Sequence, residues 1–317
     1  MKRALWAALW LAVTVACGAY AVRGVDLGEV RRAIAQADIG WLAASLGVLV
    51  VAIAVRSLRW QFLFPPSDRP GYVAASIALL IGYFFNNVLP ARAGEAARVL
   101  AVARLAPVSR ATAGGTVLVE RAYDLLVVVV LLLVLVPWLP PVSWLPEALT
   151  LLAILVALLV TGVLALRRFG DKPARLLLSP LTRLSRLPPA RVDLAASNLT
   201  AAFTTARTPR LAAISLFLTA LSWVLLGFSF WLVMPAFDLG LPFGAGLLAA
   251  FATALGSVIP SGPAGIGVFE ATTVVALSAY GVEGSAALTY ALVVHALNFL
   301  PFLVAGGIAL LLSARTA

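Results

Sequence analysis

The chain has 317 residues, 62% of them hydrophobic and 11% charged, with a mean hydropathy of +1.04. A water-soluble domain carries about 25% charged residues, so this composition excludes one, and apolar runs of about twenty residues recur along the whole length. The net charge is +10, but the basic residues gather in loops, as in the cytoplasmic loops of membrane proteins, and do not form a nucleic-acid-binding face.

No alternating pattern of a membrane barrel is visible, so the expected fold is an all-α integral membrane protein, because only helices and closed barrels satisfy their backbone in lipid. Cys17 is the single cysteine and His295 the single histidine. Together they exclude a disulfide within the monomer and leave too few soft ligands for a zinc site. No metal or other cofactor is expected.

In chain order, Lys2-Arg3 and the apolar run to Val22 imitate a signal peptide. With so many apolar runs downstream, the run reads as an uncleaved first helix, about Leu5 to Val22. A short, charge-balanced connection leads to a second helix over about Gly40–Phe62, which ends in Arg56-Ser57-Leu58-Arg59-Trp60 before Pro65-Pro66. Arg56 and Arg59 share a helix face beside an interfacial tryptophan, and simple snorkelling to the interface would account for them.

The next region is broken. Apolar Tyr72–Asn86 leads into Asn87-Val88-Leu89-Pro90-Ala91-Arg92-Ala93-Gly94-Glu95, and a second short run follows from Ala96 to about Ala106. Neither half comfortably spans a bilayer of about 30 Å, so a re-entrant hairpin is expected. Ionisable residues at membrane depth cost about 2.5–3.5 kcal/mol each on insertion scales, so Arg92, Glu95 and Arg98 mark a candidate functional site.

Helices over about Thr112–Val136 and Pro146–Leu166 come next. The first carries Glu120, Arg121 and Asp124, with the two acids four residues apart on one face. Residues 167–210 hold nine Lys and Arg against Asp171 and Asp193, the pattern of a cytoplasmic loop or of a surface for anionic lipid. A helix over about Leu211–Val233 precedes a second broken region, Pro242–Ile259, Pro260–Gly267 and Val268–Tyr280. A last helix, about Ala286–Leu312, contains His295, Asn298 and Pro301.

The expected architecture is one polytopic domain: a first half 1–166, a basic loop 167–210 and a second half 211–317. It has about six full spans plus two broken, re-entrant helix pairs. With Lys2-Arg3 inside, this layout puts the basic loop and Arg315 inside as well, so both termini are cytoplasmic. The first hairpin then inserts from the cytoplasm and the second from outside.

The two breaks resemble each other. Asn87-Val88-Leu89-Pro90 with Gly94-Glu95 matches Ser257-Val258-Ile259-Pro260 with Gly267 and Glu270. Interrupted segments at corresponding places in two halves point to a transporter-like inverted repeat. Each second half-helix offers unpaired N–H groups and a positive dipole end to a phosphate or carboxylate, with Arg92 and Arg98 to add charge-assisted bonds. Bland readings stand beside this one. Glu120-Arg121-Asp124 would serve as an ion-pair lock between helices, Glu95 and Glu270 as dipole partners, His295 as a core residue, and Pro260–Gly267 as a turn.

At these residues the sequence resembles the transmembrane, flippase-like domain of the lysylphosphatidylglycerol synthases and their stand-alone relatives. The resemblance rests on Asn86, on L-P-A-R-A-G-E-A-A-R from Leu89 to Arg98, and on E-R-x-x-D at Glu120, Arg121 and Asp124. It extends to P-x-x-P-x-G-x-G-x-x-E at Pro260, Pro263, Gly265, Gly267 and Glu270, and to Arg59-Trp60. Two positions depart from the family: Ala264 stands where a glycine is common, and His295 where an arginine is common. The chain ends at Ala317 without a soluble aminoacyl-transferase domain, so aminoacylation of lipid is not expected.

The resemblance implies movement of a lipid headgroup between leaflets of a bacterial or archaeal cytoplasmic membrane. The expected substrate-binding residues are Asn86, Arg92, Glu95, Arg98, Glu120, Arg121, Asp124, Gly265, Gly267 and Glu270, with Arg56, Arg59, His295 and Asn298 as secondary candidates. The expected partners are membrane lipids with an anionic, aminoacylated or polyprenyl-linked headgroup, and a homo-oligomer stays open. Two rival readings remain: an enzyme acting on a membrane lipid, with Glu95, Glu120 or Glu270 as general base, and an accessory protein of lipid-linked glycan or hopanoid metabolism.

Overall fold

A computed structural model describes residues 25–89, 93–141, 145–173, 209–259 and 261–315, with isolated positions in 15–21 and 175–193. The first apolar run, Arg92, Pro260 and most of the basic loop therefore lie outside the described residues. Among the described residues there are ten α-helices: α1 Leu27–Gln36, α2 Ile39–Leu63, α3 Tyr72–Val88, α4 Gly94–Leu105, α5 Arg110–Leu135, α6 Leu145–Phe169, α7 Pro209–Val233, α8 Phe243–Gly256, α9 Val268–Ser278 and α10 Gly284–Arg315. Among the described residues there is no strand. Three helices among the described residues, in α2, α7 and α10, are both long and apolar enough to cross a membrane.

The connection before α2 holds a helix the sequence reading did not anticipate. Asp26 caps α1, its side chain accepting from Gly28 N at 2.7 Å, and Val30 turns inward. The spacing of Val30 and Ile34 gives the helix an apolar side. Asp26 N also donates to Ser285 Oγ at 3.1 Å, which fastens α1 to the start of α10.

The long helices α2 and α7 both have 25 residues and begin 170 positions apart, at 39 and 209, the same spacing as Pro90 and Pro260. They pack antiparallel. Asp38 N, ahead of α2, donates to Ala236 O beyond the end of α7 at 3.4 Å. Two turns further in, buried Ser45 donates to Ser229 O at 2.8 Å. With no hydrophobic force between helices in lipid, small residues and interhelical hydrogen bonds supply such contacts.

The pairs α3–α4 and α8–α9 are hairpins whose arms fold back on each other. A Cβ at Gly94 would collide with Gly82 O and come within 2.5 Å of Asn86 Oδ1, so the first hairpin closes only on glycine. A Cβ at Gly256 would run into the Thr272 side chain of the opposite arm. The arms contain 17, 12, 14 and 11 residues. At 1.5 Å per residue each is shorter than a hydrocarbon core of about 30 Å.

The hairpins arise from opposite ends of the bundle. Ala75 and Val102 of the first share a buried cluster with Trp60 and Phe64 at the end of α2. The second begins where Gly244 faces Leu135 of α5 and the Tyr280 hydroxyl. Its tip, the short turn Pro263–Gly265, contacts α3. At the end that holds the feet of the first hairpin, Arg69, Arg104, Arg110 and Arg210 stand against Asp68. At the other end, Asp26, Glu29, Asp38, Asp238 and Glu283 stand against Arg31 and Arg32.

The outer surface is apolar over long stretches. Val50, Val51, Leu133, Val134, Leu158, Phe217, Val304 and Leu311 are each more than half exposed. A soluble monomer rarely carries so much exposed apolar surface, whereas a lipid-facing belt requires it. The chain is an integral membrane protein.

Candidate functional site

The tip of the first hairpin is built by Asn86. Its Oδ1 accepts from Gly94 N at 2.9 Å, which satisfies one of the orphan donors that open α4. This bond places Glu95 in the first turn and Arg98 one turn on. On α5, Glu120 and Asp124 point to the same side, as their four-residue spacing requires. Arg59 of α2 reaches them from the third helix.

These side chains close a ring. Arg59 pairs with Glu120, Glu120 with Arg98 at 2.9 Å, and Arg98 with Glu95 at 2.6 Å. Glu95 then pairs with Arg121, Arg121 with Asp124 at 3.5 Å, and Asp124 returns to Arg59. Three arginines and three carboxylates alternate, so the ring is neutral, and every carboxylate oxygen has a guanidinium partner. Arg59, Arg98 and Glu120 are buried at 2%, 3% and 4% exposure, whereas Arg121 is the exposed member.

Aromatic groups hold the ring from outside it. The Arg98 guanidinium lies over Trp60 at 4.9 Å, and Trp60 Nε1 donates to Thr116 Oγ1 at 3.0 Å. Trp223 of α7 donates to Asp124 Oδ1 at 3.1 Å. The ring therefore ties α2, α4 and α5 to one another and to α7.

The ring is one wall of a cavity of about 700 Å³ between the two hairpins. The opposite wall comes from the second hairpin and is neutral: Thr253, Ser257, Ser261, Gly262 and Gly265. Phe230 and Phe269 close the apolar side, and Asn298 of α10 also faces in. Arg56 lines the cavity outside the ring, its Nη1 donating to Tyr83 Oη at 3.3 Å.

The expected site residues therefore divide. Glu95, Arg98, Glu120, Arg121 and Asp124 come together, joined by Arg59, while Asn86, Gly265, Arg56 and Asn298 line the same cavity. Arg59 does not snorkel to the interface, because two carboxylates draw it fully inside. Arg92 lies outside the described residues.

Glu270 and Gly267 do not line the cavity. Glu270 is buried at 7% exposure; its Oε2 accepts from Gly267 N at 2.7 Å and its Oε1 lies 2.6 Å from His295 Nδ1. His295 in turn stacks on Phe269, with centroids 4.3 Å apart. Glu270 and His295 thus fix the start of α9 from behind the cavity. Ala264 adopts φ 59° at the hairpin tip, a conformation that favours glycine.

Sequence reasoning passed over Trp223, Tyr83 and Thr253. No local signal distinguishes them. Among the described residues no cluster of His, Cys, Asp and Glu could hold a metal ion.

The family described as lysylphosphatidylglycerol synthase TM region matches residues 7–306. The chain belongs to this family. The match covers both hairpins, the ring and the cavity, so the whole site lies within the family's region. Comparison with curated proteins gives no match.

Proposed function

We propose that this member of the lysylphosphatidylglycerol synthase TM-region family is a lipid translocase, passing a lipid headgroup between leaflets while the tails stay in the bilayer. The observation that carries the reading is the cavity of about 700 Å³, charged on one wall, held between two hairpins inside an apolar helical body. A headgroup needs a polar way through hydrocarbon, and interrupted helices near the midplane are how transporters provide one.

In this reading the hairpins are re-entrant and the two halves form an inverted repeat. The antiparallel pairing of α2 with α7 supports it, since a two-fold axis in the membrane plane reverses equivalent helices. This reading takes α5 and α6 as full spans beside α2, α7 and α10; the first apolar run, which the sequence reading counts as the sixth, lies outside the described residues. The basic surplus beside the first hairpin favours a cytoplasmic location for that end and for both termini, in a bacterial or archaeal cytoplasmic membrane.

The ring bears on the enzyme alternative. A general base needs a carboxylate oxygen free to take a proton; of the three candidates, Glu95 and Glu120 have both oxygens engaged by arginines, and Glu270 has its two oxygens against Gly267 N and His295 Nδ1 outside the cavity lining.

Purified protein in liposomes carrying headgroup-labelled phospholipid tests the proposal. Translocation exposes inner-leaflet label to an impermeant quencher beyond the level of protein-free vesicles. Protection equal to that of empty vesicles for phosphatidylglycerol, aminoacylated and polyprenyl-linked lipids alike rejects it. A new lipid product, formed with a donor present, would favour the enzyme.

A further inference from the structure

Of the seven charged side chains that line the described cavity, six neutralise one another in the ring and Arg56 does not take part. Its polar contact is the Tyr83 hydroxyl, at 3.3 Å. Its guanidinium carbon lies 5.5 Å from the Trp223 ring centroid, and its Nε is buried without a hydrogen-bond partner. Among the described residues no carboxylate comes within ion-pair distance of it. The described lining therefore carries one positive charge in excess, on a planar donor shaped for a phosphate.

The facing wall has no charge to offer. Thr253, Ser257 and Ser261 present hydroxyls, and Gly262 and Gly265 present backbone. The Thr253 and Ser257 hydroxyls donate to Ala250 O and Ala254 O, and their oxygen lone pairs suit glycerol or sugar hydroxyls, which donate hydrogen bonds without charge. A lysyl ester headgroup would instead bring two ammonium groups with its phosphate, and no cavity carboxylate is available to receive them. Diverting one from the ring would break two of its ion pairs and leave three guanidiniums to share two carboxylates, a charge imbalance that a buried site disfavours.

We propose that the cavity is an anion-selective headgroup site, with a phosphodiester or phosphomonoester on Arg56 and a neutral polyol part on the Thr253–Ser261 wall, and that it discriminates against aminoacylated headgroups. The lipid source of that phosphate rests on the translocase reading; the selectivity for anions does not.

The test is binding to the full chain in detergent, using dihexanoyl phosphatidylglycerol, dihexanoyl lysylphosphatidylglycerol and glycerol phosphate as probes. Phosphatidylglycerol is expected to bind at least about tenfold more tightly than its lysyl ester, and Arg56→Gln to weaken it about ten- to a hundredfold, the range for a lost charge-assisted hydrogen bond. Arg56→Lys keeps the charge without the fork and should fall between. It carries the test should Arg56→Gln fail to fold. Equal or tighter binding of the lysyl ester, or phosphatidylglycerol affinity indifferent to position 56, overturns the proposal. Glycerol phosphate binding as tightly as the lipid assigns the site to a free phosphate and overturns the lipid part. The same variants in liposomes separate the two readings. Arg56-dependent binding without movement rejects the translocase alone, and movement of all three lipid classes regardless of position 56 rejects the selectivity alone.

Discussion

Arg59 and Glu120 meet inside the bundle at 2% and 4% exposure, joining α2 to α5 across 61 positions of sequence. Each also has a second partner, Asp124 for Arg59 and Arg98 for Glu120, so the pair cannot be altered without opening the ring. Removing one member of a buried ion pair strands the other, at a cost of about 3–5 kcal/mol. Glu120→Gln is therefore expected to lower the thermal unfolding midpoint of the solubilised protein markedly. Arg59→Met together with Glu120→Gln should cost less than the two single changes added. Strictly additive losses would show that the two side chains are not coupled.

The orientation of the hairpins is read by labelling single cysteines in a Cys17→Ser background with an impermeant thiol reagent. Gly240→Cys and Glu283→Cys flank the second hairpin and should both react from outside the cell. Ser67→Cys and Pro107→Cys flank the first and should react only after the membrane is opened. Flanks of one hairpin that react from opposite sides would make that hairpin a full span.

At the first hairpin, the close approach of Gly94 to Gly82 leaves no room for a side chain. Gly94→Ala should destabilise the protein by about 1–3 kcal/mol, the usual range for overpacking, with a matching loss of cavity function. A fall in unfolding midpoint is the readout. An unchanged midpoint would mean the arms separate without penalty.

Much of this layout is legible in the sequence. Long apolar runs identify a membrane protein because composition alone decides that class. Pro and Gly inside the runs mark both hairpins because those residues interrupt helices by their own covalent geometry. The pairings are not legible. Arg56 and Arg59 look alike, three residues apart near a helix end, yet only Arg59 lies within reach of Glu120 and Asp124, so one is buried in the ring and the other faces the cavity. Glu270 shows the converse: its motif resembles that of Glu95, but a neighbouring backbone N–H and His295 occupy it behind the cavity wall. Such outcomes depend on contacts between distant segments, which local spacing does not encode.

Ala264, at φ 59°, sits where glycine has no steric cost. Ala264→Gly should stabilise the protein by about 1 kcal/mol, since a left-handed conformation costs an L-residue about that much. The check is a rise in unfolding midpoint; a fall would mean the alanine methyl makes a packing contact that outweighs the strain.

The most direct measurement is transbilayer movement of labelled phosphatidylglycerol in liposomes containing wild-type protein or Thr253→Trp, which fills the cavity from its neutral wall and leaves the ring intact. The account predicts movement by the wild type and at least a tenfold slower rate for the variant, with both proteins folded and inserted equally. Movement at the same rate when the cavity is filled, or none by the wild type, would contradict it.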